Sequence, residues 1–152
     1  MISSAYNHKG TSFLEIYQNC LIFNNGAFSK LTEKATKFDY QLVLEHGKPM
    51  LFGENRQKGI WLDGHKPVVV EIGDSYSVDD IAVHDKSDRI MALILSEFTY
   101  RTALPTPIGI LYETEHESYE KQVHQQMQAA VEKLGPGDIN ALLRSGHTWE
   151  VK

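Results

Sequence analysis

Phe13-Leu14-Glu15-Ile16-Tyr17-Gln18-Asn19-Cys20-Leu21-Ile22-Phe23-Asn24-Asn25-Gly26 is the stretch that decides how this chain is read, and it holds the sole cysteine of the sequence. A polar Gln-Asn-Cys step separates two apolar runs. From Thr11 to Tyr17 the residues alternate, with Phe13, Glu15 and Tyr17 opposite Leu14 and Ile16, which predicts a buried strand. Asn24-Asn25-Gly26 predicts a turn, because Asn and Gly tolerate positive φ. Cys20 then falls at the carboxyl end of a strand, the end at which α/β proteins carry their chemistry. Upstream, Lys9-Gly10 reads as the stop of a helix or arm over residues 1–9. Helix, glycine turn and strand make the end of an αβ unit. One such unit cannot form a doubly wound sheet, so the remainder of that sheet is expected outside these residues.

Working outward, the chain has 152 residues, 41% apolar and 23% charged, which predicts one ordinary folded domain with a real core. The formal net charge of −5, without a basic run, argues against nucleic-acid binding. No apolar stretch approaches the about 20 residues that span a bilayer. The longest, Ile90 to Leu95, is bracketed by charges. The amino terminus lacks a basic region followed by an apolar block, so it does not read as a signal peptide. One cysteine and no signal imply a reducing, cytoplasmic setting with no membrane partner.

Residues 27–40 read as a loop with one helical turn. A β-rich stretch follows, through Leu42-Val43-Leu44, Met50 to Gly53, Gly59 to Leu62 and His65 to Ile72. Asp63-Gly64 between apolar runs is the strongest hairpin signal, and Pro49 and Pro67 mark strand starts or edges. Ser77-Val78-Asp79-Asp80 resembles a capped acidic first turn. Asp88 caps a helix expected to run to about Phe98 with Ile90, Leu93 and Ile94 on one face. Pro105 and Pro107 lead into a short strand at Ile108 to Tyr112. The clearest helix spans Ser118 to Leu134, with Tyr119, Val123, Met127, Ala130, Val131 and Leu134 on one stripe. Gly135-Pro136-Gly137 stops it. Asp138 caps a short helix over Ile139 to Leu143, and Thr148-Trp149-Glu150-Val151 trails as an extended tail.

The chemistry-bearing residues are sparse. His8, His46, His65, His84, His116, His124 and His147 show no pair at the spacing of a zinc protease, and no Cys-x-x-Cys exists, so they read as surface or turn histidines. Gly-rich phosphate loops are absent, and Gly135-Pro136-Gly137 follows a helix instead of opening one. His84-Asp85 is a possible acid–base pair, but adjacent residues rarely share a productive hydrogen bond and a solvated turn is the better reading. Cys20 taken alone reads as a small buried apolar side chain or, given outside partners, as a ligand. A reactive thiol would need a base or helix N-terminus nearby, and neither is evident in the local sequence.

Together the segments resemble the β subunit of 2-oxoacid:ferredoxin oxidoreductases. The most specific block is Gly10-Thr11-Ser12-Phe13-Leu14-Glu15-Ile16-Tyr17-Gln18-Asn19-Cys20, with Ile22-Phe23-Asn24-Asn25-Gly26-Ala27-Phe28. Leu44-Glu45-His46-Gly47-Lys48-Pro49-Met50, then Phe52-Gly53 and Lys58-Gly59-Ile60, resemble the next stretch. Gly137-Asp138-Ile139-Asn140-Ala141-Leu142-Leu143, Ser145-Gly146 and Thr148-Trp149-Glu150-Val151 follow in order and point to the 2-oxoglutarate branch.

The resemblance implies an α+β or α/β chain. Residues 1–26 would be the last αβ unit of a thiamine diphosphate-binding domain. Residues 27–152 would form a β-hairpin-rich carboxyl-terminal domain with two or three helices. That family oxidatively decarboxylates a 2-oxoacid on thiamine diphosphate and magnesium, sends electrons singly through a 4Fe–4S cluster to ferredoxin, and transfers the acyl group to coenzyme A. The cofactor loops and three of the four cluster cysteines lie before the matching region and are absent here. By resemblance Cys20 is the fourth cluster ligand, and no residue here is assigned a catalytic role. The implied partners are the α subunit, the missing amino-terminal part of the β subunit, and ferredoxin. The chain alone is expected to hold no cofactor and to be inactive. A non-catalytic assembly or binding domain is the alternative, and a self-contained pocket would point instead to an unrelated small-molecule binder.

Overall fold

A computed structural model describes residues 1–149 and 151. Glu150, in the expected extended tail, and Lys152 lie outside the described residues. The fold is mixed α and β, in two compact units: residues 1–6 with 13–114, and residues 7–12 with 115–152. Along the chain run α1 (Ile2–Asn7), α2 (Ser29–Thr32), α3 (Lys37–Tyr40), β1 (Gln41–Val43), β2 (Leu51–Phe52), β3 (Lys58–Asp63), β4 (Lys66–Glu71), α4 (Arg89–Ser96), β5 (Thr106–Ile108), α5 (Tyr119–Leu134) and α6 (Ile139–Leu143). Single 3-10 turns sit at Val78–Asp80 and Phe98–Tyr100. Over residues 27–40, where a loop with one helical turn is expected, α2 and α3 make two.

The larger unit is built on the β3–β4 hairpin. Its strands are rich in β-branched and aromatic residues and pair antiparallel from Lys58↔Glu71 to Asp63↔Lys66. The two-residue connection is Gly64-His65, one position later than the Asp-Gly reading. Only Gly64 of the two has positive φ, at 60°, the type II′ pattern that matches strand twist. β2 pairs antiparallel on the other side of β3, so β4 is an edge strand and tolerates Pro67. The lead into β2 also pairs with residues 82–84. Gly47 N donates to His84 O, His84 N to Lys48 O, and Met50 N to Ala82 O, at 2.8, 2.9 and 2.9 Å.

Three expectations are corrected. First, the strand predicted over 11–17 does not form: no backbone ladder engages it, and Phe13 and Ile16 are 92% and 68% exposed. A strand is stable only beside neighbours that satisfy its N–H and C=O groups, and none of the described strands pairs with it. Second, the strand expected at Ile108 to Tyr112 sits earlier, at Thr106–Ile108, parallel to β1 with Leu42 opposite Pro107. Gly109, at φ 147°, turns the chain away where a Cβ would lie 2.9 Å from the Leu44 carbonyl oxygen. Third, α4 buries Met91 and Leu95, continued by Phe98, while Ile90 and Leu93 face solvent. Its sequence is apolar nearly all round, so periodicity alone does not choose the face.

The core of this unit gathers Leu42, Leu44, Met50, Phe52, Ile60, Val70, Ile81, Met91, Leu95 and Phe98. Each large side chain fully buried there contributes about 1.5–3 kcal/mol over leaving it in water. Asp88 caps α4 as expected, its carboxylate accepting from Ile90 N and Met91 N at 2.7 and 3.2 Å. In the smaller unit, Ser118 caps α5 and Asp138 caps α6. Gly135, at φ 83°, ends α5. The apolar stripe of α5 has the predicted spacing, yet no residue of that helix is buried.

Candidate functional site

Cys20 is exposed, which removes the reading of it as a core side chain. The loop around it is organised by side chains and main chain together. Asn24 N donates to Cys20 O at 3.0 Å, closing a tight turn. The Asn19 carboxamide spans the base of the loop: Gly26 N donates to its Oδ1 at 2.9 Å, and its Nδ2 donates to Asn25 Oδ1 at 3.1 Å. Gly26 supplies the positive φ of 78° that the expected turn requires. Just outside, the rings of Tyr17 and Phe28 stack at 4.8 Å and 2°. They line an open cavity of about 410 Å³ with Asn19, Gly26, Thr32 and Gln41.

The turn aims backbone N–H groups at the sulfur. Those of Phe23, then Ile22, with a smaller part from Asn24, hold the Cys20 thiol below the ordinary cysteine value. Hydrogen bonds to the anion favour the thiolate, the form that acts as nucleophile or metal ligand. The local sequence showed neither a base nor a helix N-terminus. The activating group is the backbone of a turn, whose N–H directions are not written in residue types.

As a ligand set the site is incomplete. Among the described residues no group of three or more His, Cys, Asp or Glu side chains is placed to hold a metal ion. An exposed, hydrogen-bonded thiolate fits one corner of an iron–sulfur cluster, since soft sulfur suits iron and N–H···S bonds are part of such sites. A complete cluster needs three further ligands from elsewhere. Among the described residues no acidic cluster that could hold magnesium is brought together either.

The histidines behave as read with one exception. His46, His65, His116, His124 and His147 are exposed and His8 is half-buried, but His84 is 1% exposed. Its Nε2 lies 2.8 Å from Ile110 O. A carbonyl only accepts, so Nε2 carries the proton and Nδ1 is a buried lone pair without a partner. The expected alternative of a solvated turn is therefore wrong for His84, and so is the His84–Asp85 acid–base pair. The available signal was the apolar run Ile81-Ala82-Val83 leading into it. Asp85 turns instead to Ser87, whose hydroxyl and backbone N–H hold its carboxyl below the usual value. His46 Nδ1 is 3.5 Å from Asp85 Oδ1. That ring nitrogen also accepts from Lys86 N at 3.3 Å, so it cannot donate to Asp85 in the same tautomer.

No helix among the described residues is long and apolar enough to cross a membrane. No family model matches the chain, and no solved structure does. The chain is similar to the 2-oxoglutarate oxidoreductase subunit KorB of Mycobacterium tuberculosis (strain ATCC 25618 / H37Rv), at 28% identity over 155 aligned residues. The alignment takes in 99% of this chain and 41% of the relative, so the chain spans about two fifths of that protein's length. The resemblance first carried by residues 10–28 thus holds along nearly the whole sequence, and the chain is related to a subunit of a 2-oxoglutarate oxidoreductase.

Proposed function

We propose that this chain is the carboxyl-terminal part of the β subunit of a 2-oxoacid:ferredoxin oxidoreductase, with 2-oxoglutarate as the substrate. The observation that carries the reading is the similarity of 99% of the chain to one portion of a 2-oxoglutarate oxidoreductase subunit. Residues 1–26 end the thiamine diphosphate-binding domain, and residues 27–152 form the carboxyl-terminal domain of the subunit. Cys20 supplies one ligand of a 4Fe–4S cluster, and its exposure, with backbone N–H groups that hold its thiol below the ordinary cysteine value, supports that role. Thiamine diphosphate with magnesium supplies the carbon–carbon cleavage chemistry, and the cluster carries electrons singly to ferredoxin.

This chain's own residues hold and orient. Asn19 and the 20–24 turn fix the sulfur, and the exposed Phe13, Ile16, Leu21, Ile22 and Phe23 present an apolar surface to the remainder of the cofactor domain. The other components are the α subunit, the amino-terminal part of the β subunit, coenzyme A and ferredoxin, in the cytoplasm. The isolated chain is inactive.

Co-expression with the amino-terminal part of a related β subunit and its α subunit tests the reading. A brown complex with iron–sulfur absorbance is expected, and Cys20→Ser lowers its iron content. A colourless chain that fails to join the complex, or a complex whose iron is indifferent to that change, refutes it in favour of a non-catalytic assembly domain.

A further inference from the structure

We infer that Asn25-Gly26 is a latent modification site, an asparagine poised to lose its side-chain amide, and that the Asn19 carboxamide holds it closed. The site is independent of the role read for Cys20. Deamidation of asparagine begins when the backbone nitrogen of the next residue attacks the side-chain carbonyl carbon. A Cβ on that next residue crowds the approach, and glycine has none. Asn25 is the one asparagine of the chain that glycine follows. Both residues are exposed, and nothing lies within 4 Å of where a Gly26 Cβ would stand, so water and base reach this peptide. Gly26 takes φ 78° at the third position of the turn from Asn24 to Ala27, where Ala27 N donates to Asn24 O at 3.4 Å.

One side chain holds both reacting groups. Gly26 N donates to Asn19 Oδ1 at 2.9 Å, so the proton that must leave before this nitrogen attacks is engaged. Asn25 Oδ1 accepts from Asn19 Nδ2 at 3.1 Å, which keeps the Asn25 side chain from turning its Cγ onto that nitrogen. Intramolecular attack needs the reacting atoms aligned at close range, and both hydrogen bonds must open first. Then a bond forms between Gly26 N and Asn25 Cγ, and the bond from Cγ to Nδ2 breaks. The departing amide nitrogen takes the Gly26 proton and leaves as ammonia, and a cyclic imide remains. Water adds across one of the two imide C–N bonds and gives an aspartyl or an isoaspartyl residue at position 25. No electrons are exchanged, and water is the sole co-reactant. Either product adds one negative charge to the formal −5 of the chain. The isoaspartyl product also lengthens the main chain by one carbon, which displaces Gly26 N from Asn19.

The test follows deamidation of the 152-residue chain in mildly alkaline buffer by peptide mapping and mass spectrometry. In guanidinium chloride, where the loop is unfolded, Asn25 is expected to convert faster than any other asparagine. In native buffer its conversion is expected to be severalfold slower. Asn19→Ala in native buffer is expected to recover most of the lost rate, at Asn25 alone. Its thermal midpoint is expected to match the parent's, because no residue among 1–26 belongs to the buried cluster. Asn25→Gln, where attack would close a larger and less favourable ring, is expected to abolish both the mass change and the new acidic species on isoelectric focusing. Equal rates at Asn25 in native and denaturing buffer, or an Asn19→Ala rate equal to the parent's, overturn the inference. Acceleration by Asn19→Ala together with a lower thermal midpoint also overturns it, since general unfolding then accounts for the rate. None of these readouts involves iron, so the cluster role of Cys20 and the closure of Asn25-Gly26 fail separately.

Discussion

Gly59 offers the sharpest test of how the core is packed. It lies in β3, the central strand of the three-stranded sheet, and a Cβ there would come within 2.6 Å of Ile81 Cδ1, 2.8 Å of Cγ1 and 3.2 Å of Cγ2. Ile81 is itself buried and cannot swing into solvent. Gly59→Ala is therefore an overpacking change and should cost about 1–3 kcal/mol. Ile81→Ala alone should cost about 2–5 kcal/mol through lost burial and the cavity left behind. In the double variant the new methyl enters the vacated space, so the combined cost should fall short of the sum by on the order of 1 kcal/mol or more. Gly109→Ala is the control. There the Cβ would meet the Leu44 backbone oxygen at 2.9 Å in a backbone with φ 147°, and no trimming of a side chain relieves it. Urea unfolding midpoints of the four Gly59 and Ile81 proteins, with those of Gly109→Ala, Leu44→Ala and Gly109→Ala/Leu44→Ala, measure each coupling. Strict additivity at Gly59 and Ile81, or rescue of Gly109→Ala by Leu44→Ala, would refute this account of the contacts.

Two further outcomes follow from polar groups. His84→Leu leaves the Ile110 carbonyl without its donor and should cost about 1–3 kcal/mol, whereas His84→Gln places an amide N–H near the same oxygen and should cost less; equal urea midpoints for the two variants would contradict the tautomer assigned to His84. Asp80 is held below the ordinary carboxyl value by the backbone N–H and then the hydroxyl of Ser77, each 2.8 Å away. A depressed folded-state value means the stabilisation is complete above the unfolded value of about 3.9 and is lost as the pH falls through the depressed one. Asp80→Asn should accordingly melt below the parent at pH 7 and converge with it in acid; a gap that stays constant from pH 7 to pH 2 would remove Asp80 from the acid response.

What the sequence made legible was local. Asp88 and Asp138 cap helices because a carboxylate at that position meets orphan N–H groups within three residues. The hairpin followed from β-branched runs around a glycine, and its centre moved by only one residue. Readings that depend on distant neighbours fared worse. The face of α4 is selected by what packs on it, and Phe98, one turn further on, was the clue that Met91 and Leu95 lead inward. Pro107 sits inside a strand because both strands of a two-stranded sheet are edges, where a missing N–H can be accommodated. His84 is buried because residues 82–84 align against 47–50, a pairing across some 35 residues that no local pattern announces.

At the candidate site the legible and illegible parts divide along the same physical line. The alternation over 13–17 is genuine strand patterning, yet a strand needs a sheet, and the described residues supply none to receive it. Phe13, Ile16, Leu21, Ile22 and Phe23 are each at least two-thirds exposed. At about 1.5–3 kcal/mol for each side chain that goes from water to a core, this one segment holds on the order of 10 kcal/mol of burial not yet realised. That is comparable with the entropic cost of bringing two protein bodies together. A sequence patterned for burial but left in water is the mark of an interface, as large contiguous apolar exposure is in general. In sequence Cys20 lies between Ile16 and Leu21 of that segment, and the hydrogen bonds of the Asn19 side chain to Gly26 and Asn25 close its loop independently of any sheet. Burial of the flanking apolar side chains would therefore leave the hydrogen bonds that close this loop in place.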